Sequence, residues 1–297
     1  MQRVVPLPFA VDLRRSLRPL RVGRGDPTIL LDERAVLRAS RTPLGPATIR
    51  ADHEGDRIVA TAWGPGAEWI LDHAPELLGL LDDHSDFDPP PGLIRRLHRA
   101  APDLRMPRTG RVVEALIPAV LGQRVTAFEA HRSFVQLADK WGEPAPGPGG
   151  LRLLPLPDQI AELGYYDLHL IGMEKKRADT LKRACAHAAR IELAGVGTTA
   201  QLRERLESIP GVGQWTSAEV SRIALGDPDA VSVGDYHLKH LVGWALAREE
   251  RGSDARMLEL LEPFAGHRGR ACLLLEDGRL RAPKRGPKQR IQPLSRL

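Results

Sequence analysis

Cysteine is nearly absent: Cys185 and Cys272 are the only two in 297 residues. They stand far apart in stretches of helical pattern, which argues against a disulfide framework and against a metal site built on thiolates. Long apolar runs are missing as well. No stretch of about 18 uncharged apolar residues occurs, so no segment is expected to span a membrane. Met1-Gln-Arg-Val-Val-Pro6 lacks the apolar core of a secretory signal, which makes the cytoplasm the expected location. No internal repeat of fixed period is visible. Excess positive charge is confined to one end. The net charge is +5, yet Arg281, Lys284, Arg285, Lys288, Arg290 and Arg296 put six positive and no negative charges into residues 281–297, leaving residues 1–280 at −1. Affinity for phosphate must come from local patches and from this tail, because only charges that meet phosphates release counterions.

The length suits two domains, or one with an appended lobe, and the apolar content of 42% fits a globular protein. Residues 1–88 read as a small α/β packing domain. Ala47 to His53 and Arg57 to Trp63 alternate around the turn Glu54-Gly-Asp56, as a hairpin does, and Thr28 to Leu31 and Ala35 to Ala39 read as further strands. A helix from Ala67 to Leu81 would turn Trp69, Ile70, Leu77, Leu78 and Leu81 inward, with Pro75 kinking it or starting a fresh turn. No catalytic constellation is visible in this part.

Asp88-Pro-Pro-Pro-Gly92 is stiff and marks a boundary. Residues 89–280 read as helical. Val112 to Leu121 and Thr126 to Trp141 bracket a break at Gly122-Gln-Arg124, residues 144–157 form a surface loop, and Gln159 to Leu163 and Lys175 to Leu193 continue the pattern. Lys175, Lys176, Arg177, Lys182 and Arg183 make a basic run, either a solvated face or a contact with DNA. Residues 281–297 are expected to be a disordered tail. The fold class expected is mostly α with an N-terminal α+β domain.

Two short stretches carry the chemistry. A helix beginning near Thr199 ends at Pro210, and Ile209-Pro-Gly-Val-Gly213 turns the chain into a second helix starting near Gln214. Gly211 and Gly213 permit unusual backbone angles and close approach by another chain. The unpaired N–H groups that open the second helix suit a phosphate oxygen. The same Pro-Gly pattern also serves ordinary turns. Asp235 precedes a segment with Leu238, Leu241, Val242 and Ala245 at helical spacing, where it is either a plain helix cap or something more.

Ile209-Pro-Gly-Val-Gly-Gln-Trp-Thr216, followed by Gly234-Asp-Tyr-His-Leu-Lys239, resembles the helix-hairpin-helix DNA glycosylases, and within them the bacterial 3-methyladenine glycosylase II branch. Leu104-Arg-Met-Pro107, Leu121-Gly-Gln123, Gly172-Met173 with Arg177-Ala178, and Arg268 with Ala271 are similar in kind and order, so the resemblance covers roughly residues 100–276.

The resemblance implies a helix-hairpin-helix glycosylase fold and a monomeric enzyme of base excision repair. Its partner would be damaged double-stranded DNA, and it would excise alkylated purines. Gly211, Val212, Gly213, Gln214 and Thr216 would grip the backbone, with Gln123 and Arg124 in the loop that fills the gap left by a flipped base. Asp235 would be the catalytic carboxylate, stabilising an oxocarbenium-like sugar and orienting water. A structural monovalent cation would sit on the main-chain carbonyls of Glu207, Ile209 and Val212. No cofactor is expected for catalysis, and no iron–sulfur cluster, since the four closely spaced C-terminal cysteines that hold one in some relatives of the family are missing. Bifunctional relatives carry a lysine where this chain has Trp215, so no AP lyase activity is expected, and Lys239 is read as a phosphate contact or a solvated side chain.

Trp215 and Tyr236 would flank the carboxylate and attract a cationic base, or Trp215 is simply core. Two positions depart from the branch: Glu219 and His267 stand where it has pocket aromatics. An arginine at 124 departs from the apolar wedge of the branch, although arginine stacks on bases and reaches phosphates. Two other readings stay open: a glycosylase for oxidised or deaminated bases, and a helix-hairpin-helix protein that binds DNA structure without cutting it.

Overall fold

The computed structural model describes residues 1–283 apart from Arg34. The expected tail therefore lies, from residue 284 on, outside the described residues. The N-terminal part is a five-stranded antiparallel sheet in the order β1-β5-β4-β3-β2, formed by β1 (Gln2–Pro6), β2 (Ile29–Leu31), β3 (Ala35–Thr42), β4 (Gly45–Glu54) and β5 (Arg57–Trp63). Glu54 pairs with Arg57 across the turn, where Gly55 takes a φ of 68° that favours glycine. Alternation places Ala47, Ile49, Ala51, Ile58, Ala60 and Ala62 in one core. The helices α1 (Leu13–Leu17), α2 (Ala67–Asp72) and α3 (Ala74–Leu77) accompany the sheet, with Leu13, Leu17, Ile70 and Leu71 in the same core.

In the helical part, the expected loop over 144–157 holds a short two-stranded ladder with Leu151, Leu153 and Leu154 buried, and the helix expected over 175–193 is broken at His187. In the N-terminal part, two further features differ from the sequence expectation. Strand β1 pairs with β5 over residues whose pattern gave no strand signal. The single helix expected over 67–81 is two, broken at His73, with Pro75 in the first turn of α3, where its missing N–H costs nothing. Leu81, expected inward, lies past the end of α3 and is exposed.

The remainder comprises α4 (Leu93–Ala100), α5 (Val112–Leu121), α6 (Ala127–Trp141), the two-stranded β6 (Glu143–Pro144) and β7 (Arg152–Leu153), α7 (Pro157–Glu162), α8 (Tyr165–Leu170), α9 (Lys175–Ala186), α10 (Ala188–Ala194), α11 (Thr199–Glu207), α12 (Gln214–Ala224), α13 (Leu238–Ala247), α14 (Asp254–Leu261) and α15 (Arg268–Asp277). Helix α5 is apolar on nearly every face, as suits a central helix, with Glu114 its one charged residue: Val112, Val113, Leu116, Ile117, Val120 and Leu121 are all buried. It anchors a core shared with α6, α9, α11 and α12. Helix α6 opens with a capping box in which Thr126 and Glu129 satisfy each other's backbone N–H.

The helical body holds a second core. Phe87, α4, α13, α14 and α15 bury Ile94, Val242, Met257, Leu261 and Leu275. Helix α15 clamps this unit to the N-terminal part: Arg270 donates to Asp82 at 3.0 Å and Asp277 accepts from Arg15 Nε at 2.7 Å. The Asp82–Arg270 pair is almost fully buried, so removing either partner would strand a charge. Among the described residues no helix is long and apolar enough to cross a membrane.

Candidate active site

The turn between α11 and α12 is held by a hydrogen bond from the Val212 N–H to the Ile209 carbonyl at 2.9 Å. Its two glycines serve different ends. Gly211 has a φ of 98°, and a Cβ there would come within 2.1 Å of Thr180 Oγ1 on α9, so this glycine is demanded by the fold. Gly213 has a φ of −118°, which any residue adopts, and a Cβ there would meet nothing within 4 Å. A side chain at 213 would enter open space. Just beyond it, Gln214, Trp215 and Thr216 open α12 with N–H groups that have no acceptor in a preceding turn. This exposed, partly positive face is where a phosphate fits.

Side chains around the turn are mostly committed to holding it. Val212 is buried, and so is Thr216, whose Oγ1 accepts from Gln123 Nε2 at 2.9 Å. The same Gln123 amide donates to the Gly211 carbonyl at 3.0 Å. The α5–α6 loop is thus tied to the hairpin, and Gly122 packs on Trp215, where a Cβ would lie 3.4 Å from the indole. Next in the loop, Arg124 is exposed with a φ of 55°, a left-handed conformation uncommon for a non-glycine residue. Such local strain persists at ligand clamps and active sites.

The basic run divides. Arg177 is buried and donates to the Leu121 and Gly172 carbonyls at 2.9 and 3.0 Å, bracing the end of α5. Lys182 donates to the Leu163 carbonyl. Lys175, which pairs with Asp179 at 3.1 Å, Lys176 and Arg183 border a groove that reaches Pro210 and Gly211 beside the hairpin. Of the run, only these three border the groove beside the hairpin.

Asp235 is both cap and neighbour. Its Oδ1 accepts the N–H groups of His237 and Leu238, each at 2.7 Å, at the positive end of α13. Its Oδ2 accepts from Trp215 Nε1 at 3.3 Å. The preceding residue is fixed from elsewhere: the Gly234 N–H donates to Asp254 Oδ1 at 3.0 Å, and Lys239 pairs with Asp254 Oδ2 at 3.1 Å. Lys239 is therefore an anchor of this loop, which neither sequence reading of it anticipated. The partners of Asp254 hold its carboxyl below the ordinary range: burial pushes it up, but the Gly234 N–H and Lys239 outweigh that.

Trp215 leads from the carboxylate into a cavity of about 240 Å³. Its walls come from the segment after α1, from β3, and from α5, α6 and α12; among them are Arg21, Arg38, Glu114, Phe134, Glu219 and Arg222. Glu219 lies in this wall with Arg222 Nη2 at 2.8 Å and the Ser232 hydroxyl donating to it. Burial raises the Glu219 pKa, while Arg222 and the two hydrogen bonds outweigh that and hold it below its ordinary value. Two expected lining residues are elsewhere. Tyr236 is 64% exposed, edge-on to His237 and His240, and does not line the cavity. His267 is buried against Phe87, with its Nε2 3.1 Å from Asp86, in the core of α4 and α15. Conversely, Arg38 and Ala39 on β3 line the cavity, so the N-terminal part does more than pack. Their distance in sequence from every motif hid them.

The arrangement of sheet and helical body is similar to that of solved proteins over most of the chain. A 3-methyladenine DNA glycosylase from Archaeoglobus fulgidus superposes with a TM-score of 0.77 at 19% identity, over 93% of this chain and 98% of that one. The chain has the helix-hairpin-helix DNA glycosylase fold. A second protein with this glycosylase fold, MBOgg1 in complex with a low-affinity DNA ligand, superposes with a TM-score of 0.71 at 16% identity, over 94% of this chain and 95% of that one. In sequence, the chain is 29% identical over 154 residues to DNA-3-methyladenine glycosylase 2 of Escherichia coli, covering 50% of this chain and 53% of that protein. It thus spans about half the length of the curated relative it matches. No family model matches. The sequence similarity to the 3-methyladenine glycosylase II branch agrees with the resemblance read from the motifs.

Proposed function

We propose that this protein is a monofunctional DNA glycosylase that hydrolyses the N-glycosidic bond of alkylated purines of the 3-methyladenine type, turned out of duplex DNA. The observation that carries this reading is the Asp235 carboxylate, held between the start of α13 and the indole N–H of Trp215, a residue that opens α12 just after the hairpin and also lines the cavity. The cap alone does not call for a charge, since serine or asparagine caps a helix as well, and a carboxylate repels phosphate.

The steps follow from the residues. The α12 N–H groups and Gly213 grip a phosphate without reading sequence. The nucleotide turns out, at a cost of a few kcal/mol, and Arg124, exposed on its strained loop, would fill the gap. As the C1′–N bond lengthens, positive charge grows on the sugar, and the fixed Asp235 anion stabilises it and directs a water to C1′. Oδ1 is occupied by backbone donors, so Oδ2, whose only partner among the described residues is the indole N–H, faces the reaction. Trp215 occupies the position of the nucleophilic lysine of bifunctional relatives, and Lys239 is engaged by Asp254, which supports an abasic site as the end product. A monovalent cation on the hairpin carbonyls belongs to the same proposal. The Ile209 carbonyl already accepts the Val212 N–H, whereas among the described residues no backbone N–H outside the helices bonds to the carbonyls of Glu207 and Val212, which supports their holding it.

The test is base release from methylated duplex DNA. Wild type should release free bases, and Asp235→Asn should lose about two to three orders of magnitude in rate while binding DNA as before. Full activity of that variant would sink the assignment. A borohydride-trapped covalent complex would overturn the monofunctional reading.

A further inference from the structure

The groove beside the hairpin leads away from it along α9. Lys175, Lys176, Asp179, Thr180 and Arg183 border this groove, at spacings that make them neighbours on one face of the helix. That face is pinned to the turn at two points: Arg183 donates to the Pro210 carbonyl at 2.5 Å, and a Cβ at Gly211 would collide with Thr180. The acids nearby are spoken for. Asp179 pairs with Lys175 at 3.1 Å, and Glu174 lies 3.8 Å from Arg177. Lys176 and Arg183 are exposed, and Lys176 has no ion-pair partner among the described residues.

Beyond Lys175 stands α8, which buries Leu168 and leaves Tyr165, Tyr166 and Leu170 in water. Single exposed apolar side chains are ordinary, but several together mark an interaction surface. The two surfaces meet, since Lys175 Nζ is 5.7 Å from the centre of the Tyr165 ring. The Tyr165 hydroxyl lies 3.4 Å from His169 Nδ1, whereas Tyr166, 71% exposed, touches no other ring and stands one turn before Leu170. Cations next to exposed tyrosines, continuous with a turn that offers N–H groups, suit a polyanion with sugar surfaces between its charges.

We propose that this face of α9, together with Tyr166 of α8, is a second DNA contact that holds the duplex arm on one side of the lesion. It rests on DNA being gripped at the hairpin, as in the reading above, and extends that surface. From Lys176 to Arg183 the helix rises about 10 Å, at about 1.5 Å per residue, and one DNA strand rises about 3.4 Å per nucleotide. The strip therefore follows about three nucleotides. Lys176 and Arg183 meet phosphates and Tyr166 lies against a sugar, contacts that position a duplex without reading its sequence. A duplex held at one phosphate can swing about it. A second hold along the same arm fixes the axis from which the nucleotide is turned out.

The experiment measures binding to duplexes that carry one tetrahydrofuran abasic site, with both arms long or with one arm or the other cut back almost to the site. Wild type should lose about tenfold in affinity when one particular arm is cut and little when the other is, the worth of one charge-assisted contact or more. In Lys176→Ala/Tyr166→Ala that difference between the arms should shrink to twofold or less, because affinity for the long arm has already fallen. Both side chains are exposed; thermal melts check the fold, and Lys176→Glu alone should shrink the difference in the same direction. A wild type indifferent to both arms overturns the inference, as does a variant that loses equally on all three duplexes. Arm-dependent binding by a wild type that releases no base from methylated DNA would instead remove the glycosylase reading and leave this contact standing.

Discussion

The turn at residues 209–213 and the cavity beyond Trp215 lie side by side, yet one is built of consecutive residues and the other of segments scattered from residue 19 to residue 223. The turn offers backbone, which is the same whatever side chains surround it, and its contact needs only that space be left free at Gly213. The cavity offers side chains, whose charges must balance across the sheet and three helices. A gripping surface made of main chain tolerates little variation and reads no sequence, whereas a pocket made of side chains is where substrates are told apart.

The sharpest way to break that contrast is to substitute the two hairpin glycines. Gly211→Ala should cost about 1–3 kcal/mol or more of folding stability, because it combines a left-handed φ with a clash against Thr180. Gly213→Val should leave stability within about 0.5 kcal/mol, since nothing lies nearby, but lower DNA affinity roughly tenfold, the size of one or two charge-assisted hydrogen bonds. Thermal melts and DNA titrations of both variants check this, and equal melting losses would erase the distinction.

A smaller effect tests the link between the two regions. Trp215→Phe keeps an aromatic ring at the cavity mouth but removes the N–H that meets Asp235 Oδ2. The excision rate should fall roughly fivefold, the worth of one hydrogen bond, with DNA affinity unaltered.

The cavity wall should also show itself in acid. Glu219 is held below its ordinary 4.5, so the stability it contributes is complete above that value and is lost as pH falls through the lowered one. Urea midpoints measured from pH 7 to pH 3 should therefore decline less steeply in Glu219→Gln than in wild type. Last, Lys176→Ala in the groove beside the hairpin should weaken DNA binding equally for all sequences and reduce the salt slope by about one unit.

The two regions were also unequally legible in the sequence. The hairpin, its flanking helices and the capping position of Asp235 are local, set by proline, glycine and the 3.6-residue period, and α5 lies where the apolar pattern put it. Tyr236 and His267 were drawn toward the site by position in a motif, which fixes where a Cα lies but not where a ring points. Tyr236 follows the capping residue and turns outward, and His267 belongs to the core of α15. Arg38, Arg222 and Glu114 carried no signal because their meaning lies in contacts between elements far apart in the chain. Strand β1 was missed for the same reason: it is held by pairing with β5, not by a pattern of its own.

Glu114 of α5 receives Ser40, the Arg41 N–H and Arg38 from the sheet, so the floor of the cavity is a joint between two parts of the chain. This separates two kinds of evolutionary freedom. In the glycosylase reading proposed above, exchanges on β3 would retune which lesion is accepted without touching the residues assigned to gripping the backbone or breaking the bond, so a lineage would drift in diet while keeping its teeth.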